Sequence, residues 1–236
     1  MTAQRSPVRA NSSGLTTYVR ENWLWLVANV GAAIPLLWLL WDQLTDNLSI
    51  NPIDDYTERT GGAAILLLLL SLAVTPVQTV TGWRKISTVR KSLGLWAFGY
   101  VVLHMLVFVG LDYAFSWEFI WLDGLPSKPY IVVGLAALLI LTPLAITSTK
   151  GMQKRLGKAW KKLHRWVYAA GLLAVIHYIW VVKVPFGKPT LYAVILAVLL
   201  IARIPVVRNW LGGLRPKPAA KAAAATRKQP KIAVET

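Results

Sequence analysis

No cysteine occurs anywhere in the 236 residues. That absence excludes disulfide bonds, thiolate-held iron–sulfur clusters, thiol catalysis and the C-x-x-C-H attachment of c-type haem. Charge is scarce as well: charged residues make up 15% of the chain, where soluble domains carry about a quarter. Neither a G-x-G-x-x-G nor a Walker A loop is present, which removes the usual signs of a nucleotide-binding domain. None of the ten acidic residues falls inside an apolar stretch, so the midplane carboxylates that proton-coupled transport relies on are missing.

What the chain does have is hydrocarbon. It is 56% hydrophobic, with a mean hydropathy of +0.50. A helix needs about 20 apolar residues to cross roughly 30 Å of bilayer core. Six runs of that kind are legible, over Trp23–Trp41, Gly61–Val80, Leu93–Leu111, Pro129–Thr149, Trp166–Val182 and Leu191–Val207. The sixth is the weakest, because it contains Arg203 and Pro205; an arginine near a helix end can snorkel to the headgroups. No alternating pattern suggests a membrane barrel. A basic stretch precedes the first run as in a signal peptide, but the run is long and lacks an A-x-A site before Asp42, so it reads as a retained helix. The expected fold is an all-α integral membrane protein, a six-helix transmembrane bundle over residues 23–210. Residues 1–22 are expected as a cytoplasmic tail and residues 211–236 as a disordered basic cytoplasmic tail.

Charge sets the orientation. With the N-terminal tail, the second and fourth connections and the C-terminal tail on one side, 22 of the 26 basic residues share that side. Eight of the ten acids fall on the other, including Asp42, Asp46, Asp54, Asp55, Glu58 and Asp123. The positive-inside rule then makes both termini cytoplasmic. The net charge of +16 is thereby explained by topology and anionic membrane lipid, and nucleic acid is not an expected partner. Most of the twelve tryptophans read as interfacial anchors.

Only three histidines occur, and all lie at membrane helices. His104 is in the third run, in YVVLHMLVF; His164 and His177 are at the mouth and in the depth of the fifth. Both helices run outward from the basic side. His104 stands 13 residues beyond Lys91 and His177 12 beyond Arg165, so at about 1.5 Å per residue both lie roughly 18–20 Å from the basic edge. Two imidazoles at one depth on neighbouring helices can hold one haem iron from opposite faces. The plainer alternative is interhelical hydrogen bonding. His164 is about 20 Å nearer the basic side and cannot share that iron, but it can hold a second haem. Arg90 shares a helix face with His104 and can ligate weakly, meet a haem propionate, or simply fix topology. On an ideal helix His164 and His177 point about 140° apart, which calls for a distortion at His164.

The blocks TGWRKISTVRKSLGLWAFGYVVLH, KPYIVVG and LAITSTKGMQKRLGKAWKKLHRWVYAAGLLAVIHYIWVVK, over about residues 55–185, resemble the MsrQ family. These are haem-binding membrane subunits of the periplasmic methionine sulfoxide reductase system. More widely the chain looks like the ferric-reductase-type transmembrane domain shared with NADPH oxidases. The resemblance implies one or two b-type haems, with His104 and His177 on the outer haem iron and His164 on the inner. The wider family has a second histidine 14 residues before the outer ligand, where this chain has Arg90. Ferric reductases and NADPH oxidases append a flavin and nicotinamide domain, which is not expected here. The resemblance therefore implies a non-catalytic electron-transfer subunit fed by the membrane quinone pool, by bound FMN or by a cytosolic flavin reductase. Its implied acceptor is a periplasmic molybdopterin-dependent, MsrP-like methionine sulfoxide reductase, with the acidic loops Asp42–Glu58 and Asp112–Asp123 available for docking.

Two other readings fit the residues: a transmembrane ferric or cupric reductase, and a haem-free transporter or scaffold. The topology is checked by fusions after Thr236. Green fluorescent protein there is expected to fluoresce and alkaline phosphatase to be inactive; the opposite pattern would reverse the orientation.

Overall fold

The computed structural model describes residues 12–183 and 186–214. The ends expected as tails, residues 1–11 and 215–236, lie outside the described residues. The described residues form helices and no strand: α1 (Ser12–Leu44), α2 (Pro52–Thr81), α3 (Ser87–Val107), α4 (Pro129–Ile146), α5 (Lys150–Leu156), α6 (Lys158–Leu163), α7 (Val167–Val182), α8 (Lys188–Ile201) and α9 (Pro205–Gly213). Five continuous stretches are long and apolar enough to cross a bilayer: Thr16–Leu44, Pro52–Thr81, Arg84–Asp112, Pro129–Ile146 and Lys158–Val182. The protein is an all-α, multi-pass membrane protein.

Its surface is inside-out in composition. Along α1, Val27, Val30, Leu37 and Trp38 are each at least 60% exposed, an apolar stripe suited to the lipid of a bilayer. α2 is the opposite case and forms the hub. Half of its most apolar window is buried, and Ala63, Ala64, Leu67, Leu68 and Val74 are 3–6% exposed. It packs most heavily on α3 and also touches α1, α7, α8 and α9, while α7 packs chiefly on α4. The two alanines in succession let neighbouring helices approach α2 closely.

Prolines interrupt this framework, and side chains repair it. Pro35 sits inside α1. There the Tyr100 hydroxyl, on α3, inserts into the helical ladder: it donates to the Ala32 carbonyl at 2.8 Å and accepts from the Leu36 amide at 3.0 Å. Those two groups are an i, i+4 pair that would otherwise bond each other. Pro76 inside α2 has no N–H to give the Leu72 carbonyl four residues earlier. Arg203 fills that gap, its Nη2 donating to Leu72 O at 2.6 Å.

The sixth crossing differs from the single span expected over Leu191–Val207. α8 stops at Ile201, and α9 leaves at 82° to it. Pro205 is the cause: it opens α9, and it holds Ile204 in an extended conformation (φ −59°, ψ 133°). The break turns Arg203 inward rather than out to the headgroups. At the acidic end, Asp42 also turns inward, 8% exposed and ion-paired with Arg59 of α2, which removes it from the residues available for docking.

Replacing Tyr100 with Phe removes both hydrogen bonds at once, from a side chain only 2% exposed. The expected loss is about 1–3 kcal/mol, or less if the Ala32–Leu36 bond re-forms. Thermal unfolding in detergent measures it; an unchanged midpoint would show that the inserted hydroxyl carries no net stability.

Candidate functional site

His104 lies in the last turn of α3 and His177 in the C-terminal half of α7. These two helices pack chiefly on other partners, α3 on α2 and α1, α7 on α4. Their histidines nevertheless face each other, with ring centres 6.1 Å apart and ring planes at 89°. Neither ring is fully enclosed; both are half-buried.

The hydrogen bonds settle which nitrogen each ring presents. His104 Nδ1 lies 3.1 Å from the Thr57 carbonyl of α2, with the Thr60 hydroxyl 3.4 Å away. His177 Nδ1 lies 2.7 Å from the Tyr130 carbonyl of α4. A carbonyl can only accept, so each Nδ1 carries the proton and each Nε2 keeps its lone pair. This is the tautomer a metal requires, and a carbonyl behind the ring raises its basicity and fixes its plane.

Two glycines allow this approach. A Cβ at Gly61 would stand 3.1 Å from His104 Nδ1 and Cε1, and one at Gly134 would stand 2.8 Å from His177 Nδ1. Each imidazole therefore lies flush against the backbone of a neighbouring helix, α2 for His104 and α4 for His177. Sequence reasoning missed both positions. Their signal is a glycine inside an apolar helix, in RTGGAA and in IVVGLA, where it costs helix stability unless something must come close.

The spacing suits one ion held between the rings. Two metal–nitrogen bonds of about 2 Å, each with about 1 Å more from nitrogen to ring centre, put the centres roughly 6 Å apart. Among the described residues no group of three or more His, Cys, Asp or Glu converges. The donor set is thus two opposed neutral imidazoles, which fits the axial positions of a haem.

His164 is elsewhere. It opens a short 3-10 turn, His164–Trp166, between α6 and α7, so the helix is distorted at the point where ideal geometry failed. Its Nδ1 faces the Trp160 carbonyl at 3.2 Å, its ring stacks on Trp160 at 3.9 Å, and its Nε2 is 3.5 Å from the Ser148 hydroxyl. Arg90 has an exposed side chain, and its carbonyl accepts from Ser71 Oγ at 2.9 Å. The structure thus brings His104 and His177 together and leaves His164 and Arg90 toward the basic end.

Residues 60–175 match the family described as ferric reductase like transmembrane component. A Rhodospirillum rubrum protein is 44% identical over 189 residues, covering 79% of this chain and 90% of the relative. It is named protein-methionine-sulfoxide reductase heme-binding subunit MsrQ. The chain belongs to the MsrQ family. A Deinococcus radiodurans MsrQ is 44% identical over 184 residues, 77% of this chain and 90% of its own. For the MsrQ of Xanthomonas axonopodis pv. citri the figures are 44% over 163 residues, 69% and 74%. The family match spans His104 and His164 and stops two residues short of His177.

Gly134→Ala is expected to force His177 off its carbonyl and to cost about 1–3 kcal/mol, as overpacking does. In a His177→Ala background the same change should cost much less, because the clash partner is gone. Thermal unfolding of the four proteins measures the coupling; equal costs in both backgrounds would mean that the ring does not press on Gly134.

Proposed function

We propose that this chain is a b-type cytochrome subunit that carries electrons across the bacterial inner membrane to a periplasmic methionine-sulfoxide reductase subunit. The observation that carries the reading is the His104–His177 pair, 6.1 Å between ring centres with both Nδ1 atoms on carbonyls. Bound haem supplies a one-electron iron couple. The protein's part is to present two neutral Nε2 donors at fixed orientation and to surround them with apolar helices. Thr57 and Tyr130 prevent rotation of the rings, and Gly61 and Gly134 give the rings room against the helix backbones.

Direction follows from charge. Both termini and the lysine-rich segment from Lys150 to Arg165 lie in the cytoplasm under the positive-inside rule, which puts His104 and His177 in the periplasmic half. His164, in the cytoplasmic half, is the residue for an inner haem where two are bound, and Arg90 stands at the position where the wider family has its second histidine. Electrons enter from the quinone pool, or from FMN or a cytosolic flavin reductase, and leave near the His104–His177 pair. The acceptor is an MsrP-like, molybdopterin-dependent partner docked on the acidic loops, where Asp46, Asp54 and Glu118 remain exposed while Asp42 is committed to Arg59.

Oxidised and dithionite-reduced spectra of the purified protein test this, beside His104→Ala and His177→Ala. A six-coordinate b-type signal is expected, with the same component lost in both variants and at least half of any remainder kept. A wild type without haem, or no loss in either variant, would sink the reading.

A further inference from the structure

At the basic end of the bundle stand two arginines that an iron between His104 and His177 does not need. Ser71 and Leu72 are neighbours on α2. Ser71 Oγ donates to the Arg90 carbonyl at 2.9 Å, and Leu72 O accepts from Arg203 Nη2 at 2.6 Å. The main chain of Arg90, on α3, and the guanidinium of Arg203, at the break between α8 and α9, are thus held by adjacent residues of α2. Arg203 Nη1 donates to the Tyr168 hydroxyl at 2.5 Å, and its guanidinium carbon lies 4.8 Å from the centre of that ring. Arg90 lies within electrostatic range of both Arg203 and Tyr168.

Among the described residues neither cation has a carboxylate partner. Among the described residues the ion pairs are Arg59–Asp42 and Lys188–Glu58, both at the acidic end. Arg203 Nε is in addition buried with no hydrogen-bond partner. Satisfying the carbonyl that Pro76 leaves open needs one neutral donor; it explains neither a full charge nor a second arginine beside it. The unmet buried N–H costs free energy until an acceptor joins it, and a second positive charge within electrostatic range favours an anion as that acceptor. The planar fork of a guanidinium matches the oxygens of a carboxylate or phosphate.

We infer that Arg90 and Arg203, with Tyr168, form an anion-binding site that takes the carboxylate or phosphate of an amphipathic molecule held among the helices. Tyr168 is four residues, about one helical turn, from His164, so the site adjoins that histidine. The site stands whether or not His104 and His177 hold iron. A haem propionate, a flavin phosphate and a phospholipid headgroup share this chemistry, and the experiment separates them.

The purified wild type, Arg90→Gln, Arg203→Gln and Arg203→Lys are compared for haem, released flavin and phospholipid phosphorus per chain. Helical circular dichroism and thermal unfolding report the fold. The side chain of Arg90 is exposed and makes no hydrogen bond among the described residues, so Arg90→Gln leaves the fold intact. One of the three contents is expected to fall at least threefold in both glutamine variants and to stay within twofold in Arg203→Lys. Which content falls names the source. Unchanged contents in Arg90→Gln would overturn the site, and so would a loss confined to an unfolded Arg203→Gln. The His104–His177 spectrum is a separate readout: its absence from the wild type defeats the electron-carrier reading and leaves the anion site to be judged on flavin and phospholipid.

Discussion

Everything at the site depends on two main-chain carbonyls. Thr57 O and Tyr130 O hold the Nδ1 protons of His104 and His177, and that single constraint fixes the tautomer, the ring planes and the direction of both free lone pairs. An imidazole with a spinning ring in an apolar bundle would spend most of its time off target. The carbonyls belong to α2 and α4, helices that carry no histidine of their own. Pairing α3 with α2 and α7 with α4 is therefore what aims the two rings at each other, and the glycines at 61 and 134 are the condition for it.

The lipid solvent imposes a second requirement, that every main-chain group broken out of a helix must be met from inside the protein. Pro35 and Pro76 sit within spanning helices, and the answers come from other spans: a tyrosine hydroxyl of α3 beside Pro35, a guanidinium from the α8–α9 break beside Pro76. These repairs tie α1 to α3 and the sixth crossing to α2 more specifically than aliphatic contact can. Kinks in this bundle are thus also its cross-links.

Most of this architecture was legible in the residues. Apolar run length identified the five continuous spans, and depth counted from the basic edge matched His104 with His177, because both quantities are linear along a helix. Rotation was legible less well: an ideal period put His164 and His177 at odds, and the 3-10 turn at His164–Trp166 shows where the period changes. The sixth run was read as one helix because hydropathy averages over Pro205, whose effect is local and geometric. Arg203 was taken as a headgroup anchor on the same ground; the bend that turns it inward is a consequence of the backbone, not of composition. Tyr100, Gly61 and Gly134 escaped because each acts on a group distant in sequence, 43 to 68 residues away. Asp42 was counted as an outer-loop acid, and only the neighbouring Arg59 reveals it as internal.

The bend at Pro205 also bears on the bilayer itself. α8 has 14 residues, a rise of about 21 Å, against roughly 30 Å of hydrocarbon. With α9 turned 82° away, the wall of the protein at this edge is too short for the membrane around it. Lipid must thin there, or draw its headgroups down toward Arg203, at a cost of a fraction of a kcal/mol per Å. The basic leaflet therefore dimples at one side of the bundle, and the aqueous phase comes closest to the protein interior there.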